Sequence, residues 1–207
     1  MERQFAEISL SPGKGYEISQ HSSDLTSTEL QHLWEKALPQ GNGWPSYIGM
    51  ESLKCFRLSD NKIAVSQARV TNQEDEFGRR GIFRARVDIF TSVSGYIEKL
   101  TKAYTQILSS ARLRESALHQ PSVFGVIEQV LSNRQVILAS PFINRENWRY
   151  MEAIILKAIL SLPTQICPLV SLTTFALSPY RESFVVALPM SIAKDLKKPF
   201  ITVGGHI

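Results

Sequence analysis

Cysteine, histidine and long apolar runs are all scarce in this chain, and each shortage removes a class of protein. The 207 residues include two cysteines, Cys55 and Cys167, and four histidines. Two widely separated thiols make neither a disulfide framework nor the paired spacing of a zinc site. Both stand among apolar neighbours, so they are read as small buried thiols of a reducing compartment, with the cytoplasm as the expected location. His21, His32, His119 and His206 stand singly, without the paired spacing that a zinc hydrolase needs. Neither a metal nor a cofactor is expected. No stretch reaches the ~20 apolar residues of a membrane span, and MERQFAEISL at the N-terminus has no apolar run of the signal-peptide kind. The nearest candidate, MEAIILKAILSL, is interrupted by Lys157 and is read as a core helix. No membrane partner is expected.

Strong charge of one sign is also missing. Lys and Arg number 23 against 19 Asp and Glu, a net +4 that permits an acidic partner without requiring one. Only residues 79–86 and 194–198 (KDLKK) are locally basic. Apolar and charged fractions of 43% and 20% are those of an ordinary globular protein, which excludes disorder and fibrous structure. The length fits one large domain or two small ones, each able to bury a core without disulfides or metal.

What is present is a succession of periodic segments. RQFAEISL reads as a strand, and a Pro-Gly-Lys-Gly turn leads to a second extended piece ending near Ser19. In TSTELQHLWEKAL, Thr26 and Glu29 make a capping box ahead of a helix that places Leu30, Leu33, Trp34 and Leu38 on one face. LKCFRL and KIAVSQARV flank the turn residues Ser59, Asp60 and Asn61 and predict a hairpin. IFRARVDIF continues it as a third strand, with Phe83, Ala85, Val87 and Ile89 on one face and Arg84, Arg86 and Asp88 on the other.

The second half alternates helix and strand. A long helix is predicted over residues 94–115 with Ser94 as its cap, then a short one opened by Pro121 and Ser122, then the strand QVILAS. A helix capped by Asn144 spaces Trp148, Met151, Ile155, Ile159 and Leu162 along one face until Pro163 ends it. LVSLTTFAL and SFVVALPM are predicted as strands around the turn SPYRE, followed by a short amphipathic SIAKDLKK and a terminal FITVGG. The sum is an α+β fold with a mainly antiparallel sheet and about four helices, spanning 1–207 as a single domain or as two sub-lobes, 1–92 and 93–207.

The chemistry on offer is that of contact. Gly13, Lys14 and Gly15 lack the full phosphate-loop pattern and read as a turn. No acid, base and nucleophile set stands out, so an enzyme is not the expected class. The richest stretch is EDEFGRRGIFRARVDIF. There Asp75 and Glu76 can pair with Arg79 or Arg80 while Gly78 and Gly81 allow backbone angles that other residues resist. Arg84 and Arg86 share a strand face and, with Arg69 from the preceding strand, can form a basic stripe for phosphates. The alternative is the solvated face of an ordinary antiparallel sheet.

Several pieces occur together in one order: SPGKGYEISQHSSDLTSTE, then SLKCFRLSDNKIAVSQARVTNQEDEFGRRGIFRARVDIF, then AILSLPTQICPLVSLTTFALSP. This arrangement resembles the N-terminal domain of bacterial GTPase-associated proteins. The matching positions are Gly15 and Tyr16, Ser23 and Leu25, Arg57 and Leu58, Asn61 and Lys62, then Asp75, Gly78, Arg79 and Gly81. Leu162 and Pro163, and Leu172, Thr173, Thr174 and Phe175, complete it. The resemblance covers roughly residues 3 to 190. Larger members of that family continue into further domains, whereas this sequence stops at Ile207. The resemblance implies a non-catalytic adaptor or regulator that works beside a GTPase or other NTPase in a bacterial conflict system. Two expectations follow: a protein-binding module using residues 72–86, or a nucleic-acid-binding subunit using Arg69, Arg79, Arg80, Arg84 and Arg86.

Overall fold

Apolar residues at every second position make the first half of the chain a set of antiparallel strands, each with one face for a core. The structure, a computed structural model, describes residues 4–11, 14–39, 44–75, 77–78, 81–140, 145–178, 183–196 and 198–203. β1 (Gln4–Ser11) and β2 (Gly15–His21) form a hairpin, α1 (Ser27–Lys36) follows, and β3 (Glu51–Ser59), β4 (Lys62–Thr71) and β5 (Ile82–Phe90) form the expected meander. Helices α2 (Val93–Ser110) and α3 (Gln120–Leu131) lead to β6 (Val136–Ser140) and then to α4 (Arg145–Leu160). The short β7 (Leu172–Thr173), β8 (Val185–Pro189), α5 (Met190–Asp195) and β9 (Ile201–Thr202) complete the order.

The nine strands among the described residues join one sheet in the order β2-β1-β5-β4-β3-β7-β8-β6-β9. Five of the eight pairings are antiparallel, so the α+β, mainly antiparallel expectation holds. The three parallel pairings lie together at the β9 end, where α4 stands in sequence between β6 and β8, and α5 between β8 and β9. Against one sheet face, Leu33 of α1 and its C-cap Ala37 pack on Ala6, Ile8, Ala64, Ala68, Phe83, Ala85 and Val87. On the other face, α2, α3 and α4 bury Leu53, Cys55 and Val65 under Tyr96, Leu100, Val126, Met151 and Ile155. Those helices leave the β4–β5 end of that face uncovered, where Arg69, Arg84 and Arg86 are exposed.

Several expectations need correction. The cap of α2 is Ser92, whose Oγ accepts from the Gly95 N–H; Ser94 lies inside the first turn because the helix begins at Val93. Trp34 is 56% exposed instead of buried, since the stripe that meets the sheet runs through Leu33 and Ala37 and leaves the indole at its edge, donating to the Tyr16 carbonyl. The two strands placed around SPYRE do not form a hairpin. β7 is two residues long, pairs antiparallel with β3 and runs parallel to β8, and Thr174 and Phe175 continue its bonds to β3. Asp88 is fully buried and paired with Lys99 of α2 at 2.9 Å, not part of a solvated face. The proposed Asn144 cap lies outside the described residues.

The capping box at α1 is complete, and Glu29 extends it. Its carboxylate accepts from the Thr26 N–H at 3.0 Å, from Lys62 of β4 at 3.0 Å and from the Ser59 hydroxyl at 2.9 Å. Burial pushes this carboxyl up, but the Thr26 amide, Lys62 and Ser59 together hold it below its ordinary range. Glu29→Ala is therefore expected to cost about 2 kcal/mol in urea denaturation, from the lost cap and from Lys62 left without its partner. A loss below about 0.5 kcal/mol, the size of an ordinary surface change, would contradict this role.

Candidate functional site

The loop joining β4 to β5 is tied down at its base and presents an aromatic side chain near its middle. At the base, the Thr71 hydroxyl donates to the Ile82 carbonyl at 2.9 Å. Asp75 accepts from the Phe77 N–H through Oδ1 at 2.9 Å and from the Gly78 N–H through its carbonyl at 3.0 Å, a turn that Asp forms readily. Gly78 and Gly81 have φ of +72° and +80°, the left-handed region that disfavours a Cβ. Phe77 is 73% exposed. Glu76, Arg79 and Arg80, with the pairings expected of them, lie outside the described residues, as does Gly13; Gly15 opens β2 with φ +81°.

The sheet register brings the strand arginines together. Arg69 of β4 stands directly opposite Arg84 of β5, and one step along, Gln67 stands opposite Arg86 and Arg86 opposite Glu7 of β1. Like charges directly opposite one another destabilise a sheet. Neither Arg69 nor Arg84 has an ion pair among the described residues, so this row holds positive charge open to solvent. Arg86 is different. It is engaged by Glu7 and Asp88, each at 3.7 Å, and its guanidinium lies 5.7 Å from the Phe5 ring centroid. The expected stripe of three thus reduces to two open cations and one largely satisfied one. The row lines a shallow groove of about 630 Å³ with the apolar rim residue Ile48, itself exposed.

On the other side of Gln67, the same face continues into a narrower cleft of about 200 Å³ between β3, β4, α2 and α4. Arg149 of α4 bridges two carboxylates there, Glu152 at 2.7 Å and Glu51 of β3 at 2.7 Å, and its guanidinium stacks 4.3 Å from the Trp148 ring centroid. Glu152 is buried, and it also accepts from the Thr174 hydroxyl at 3.0 Å, while Thr174 Oγ1 accepts from the Leu53 N–H at 2.9 Å. Burial, with a smaller push from the nearby negative charge of Glu51, carries the Glu152 carboxyl up to about 7 against the opposing pull of Arg149 and Thr174.

No local pattern in the sequence marks this cluster as a unit. Its signal was two charges, Arg149 and Glu152, inside the otherwise apolar run WRYMEAIIL. Charges at i and i+3 in a core helix need a buried partner, and only the fold supplies Glu51 and Thr174. The cysteines are buried in the helix-side core, and burial pushes both thiols up, Cys167 to about 11. Among the described residues, no group of three or more His, Cys, Asp or Glu could hold a metal ion, and no helix is long and apolar enough to cross a membrane. Comparison with protein-family models, curated proteins and solved structures gives no match to this chain.

Proposed function

We propose that the protein is a binding module, a non-catalytic adaptor of a bacterial multi-component defence system that acts with a GTPase or other NTPase. The resemblance of its ordered motifs to GTPase-associated proteins suggests the setting. The observation that carries the binding role is an exposed Phe77 on the loop that joins the two strands bearing the open Arg69–Arg84 row. Aromatic and arginine side chains are the types that anchor protein interfaces. A partner surface that meets this one should be acidic around an apolar pocket. With a GTPase or other NTPase that binds the protein as partner, Phe77→Ala should weaken binding by about 2 kcal/mol in a titration, with the fold unchanged. Equal affinity for variant and wild type would remove the loop from the interface.

A second reading, a nucleic-acid-binding subunit, is favoured by one observation, the uncompensated Arg69–Arg84 pair. Phosphate contacts make affinity fall with salt, by about 0.9 per contact in the slope of log K against log salt for duplex DNA. The Arg69→Ala/Arg84→Ala double variant should then flatten that slope by about 2. Absence of binding to single- and double-stranded nucleic acid at low salt would leave the protein-partner reading alone.

A further inference from the structure

The Arg149 cleft is built unlike the rest of the sheet face. Its guanidinium is bound by two carboxylates of different standing. Glu152 is the inner one, with a side chain 3% exposed and fixed by Thr174. Glu51 is the outer one, with a side chain 44% exposed at the mouth of the cleft. The Arg149 side chain itself is 17% exposed and lines the cleft. An arginine carries five N–H donors, and these two carboxylates engage it through Nη1 and Nη2 alone. Leu53, Ala103 and Ile107 give the cleft an apolar wall, and Gln67, Gln106 and Ser110 give it a polar rim.

Glu51 also has a second cation within reach. It stands directly opposite Arg69 in the β3–β4 ladder, and residues so placed have Cβ atoms about 5 Å apart. A carboxylate leaving Arg149 would therefore gain a guanidinium that has no ion pair among the described residues. We propose that the cleft is a binding site for a small organic anion, a carboxylate- or phosphate-bearing molecule, which takes the place of Glu51 on Arg149 while Glu51 turns to Arg69. The exchange strands no charge, because each anion ends on a cation. The cleft volume limits the occupant to a small molecule and excludes a folded partner or a nucleic-acid strand.

The test is a titration of the isolated chain with inorganic phosphate and, separately, succinate, followed by the indole N–H of Trp148 and the side-chain amides of Gln67 and Gln106 in ¹H–¹⁵N spectra. These signals should move together with a Kd of ~1 mM or below for at least one probe. Which probe binds distinguishes phosphate from carboxylate. Glu51→Gln, which removes the competing carboxylate and preserves the fold, should tighten binding about tenfold. Arg69→Ala should weaken it in the wild-type background and have no effect beside Glu51→Gln, whereas Arg84→Ala, an equal loss of charge one strand farther away, should change little. Absence of any shift at these three side chains, or equal weakening by Arg69→Ala and Arg84→Ala, would overturn the proposal. The measurement uses no partner, so its failure would leave the binding role of Phe77 and the arginine row untouched.

Discussion

Arg149→Met is expected to destabilise the protein by about 3–5 kcal/mol at pH 8, the usual cost of removing one partner of a buried ion pair. Three elements meet at this side chain. Glu152 anchors α4, Glu51 belongs to β3, and Thr174 carries the bond from Glu152 onward to the Leu53 amide. Methionine keeps an apolar stem of similar length but loses the guanidinium stacked on Trp148 and leaves Glu152 buried without a cation. At pH 5 the cost should be smaller, because Glu152 then takes up a proton and no charge is stranded. Urea denaturation at both pH values checks this, and a cost that does not depend on pH would show that packing on Trp148 matters and the ion pair does not.

The second large effect is the pH dependence of Glu152 itself. Its carboxyl is carried from the ordinary 4.5 to about 7 in the folded protein. The native state therefore holds a proton that the unfolded chain has already released between these values. Its contribution to stability is complete below pH 4.5 and is lost as pH rises through 7. At about 1.4 kcal/mol per pH unit, the change is of order 3 kcal/mol. The groups facing Glu152 are Arg149, Glu51 and Thr174; Arg149 stays charged throughout, and the window is that of Glu152. Glu152→Gln keeps an acceptor for Thr174 and removes the titration. The stability difference between wild type and variant should fall by that amount from pH 4.5 to 7.5. A difference independent of pH would show that Glu152 is an ordinary ionised carboxylate in the fold.

These effects and the open arginine row occupy one face of one sheet, with opposite physical characters. At the Arg69–Arg84 end, charge is exposed, uncompensated and suited to contact. At the Arg149 end, charge is enclosed, compensated and costly to disturb. Gln67 lies between the two regions and is held by Lys99, which also neutralises the buried Asp88. A variant that changes Lys99 or Asp88 therefore disturbs both regions, and binding experiments should use Arg69, Arg84 and Phe77 instead.

By itself the sequence determined the local architecture. Period-two alternation defined β3, β4 and β5, the Asp60–Asn61 turn set the register of β3 on β4, and Thr26 with Glu29 set the start of α1, because each is a short-range preference complete within a few residues. It also placed Arg69, Arg84 and Arg86 on one face, since a side-chain period of two leaves no other choice once the strands pair. Only the tertiary structure decided which of those arginines stays open. Glu7 comes from β1, far away in sequence but next to β5 in the sheet, and it engages Arg86 while Arg69 and Arg84 face each other. The Arg149 cleft belongs wholly to that second category. Glu51, Arg149 and Thr174 come from three separate segments, and burial of Glu152 among them depends on how α4 lies on the sheet, which no local pattern encodes.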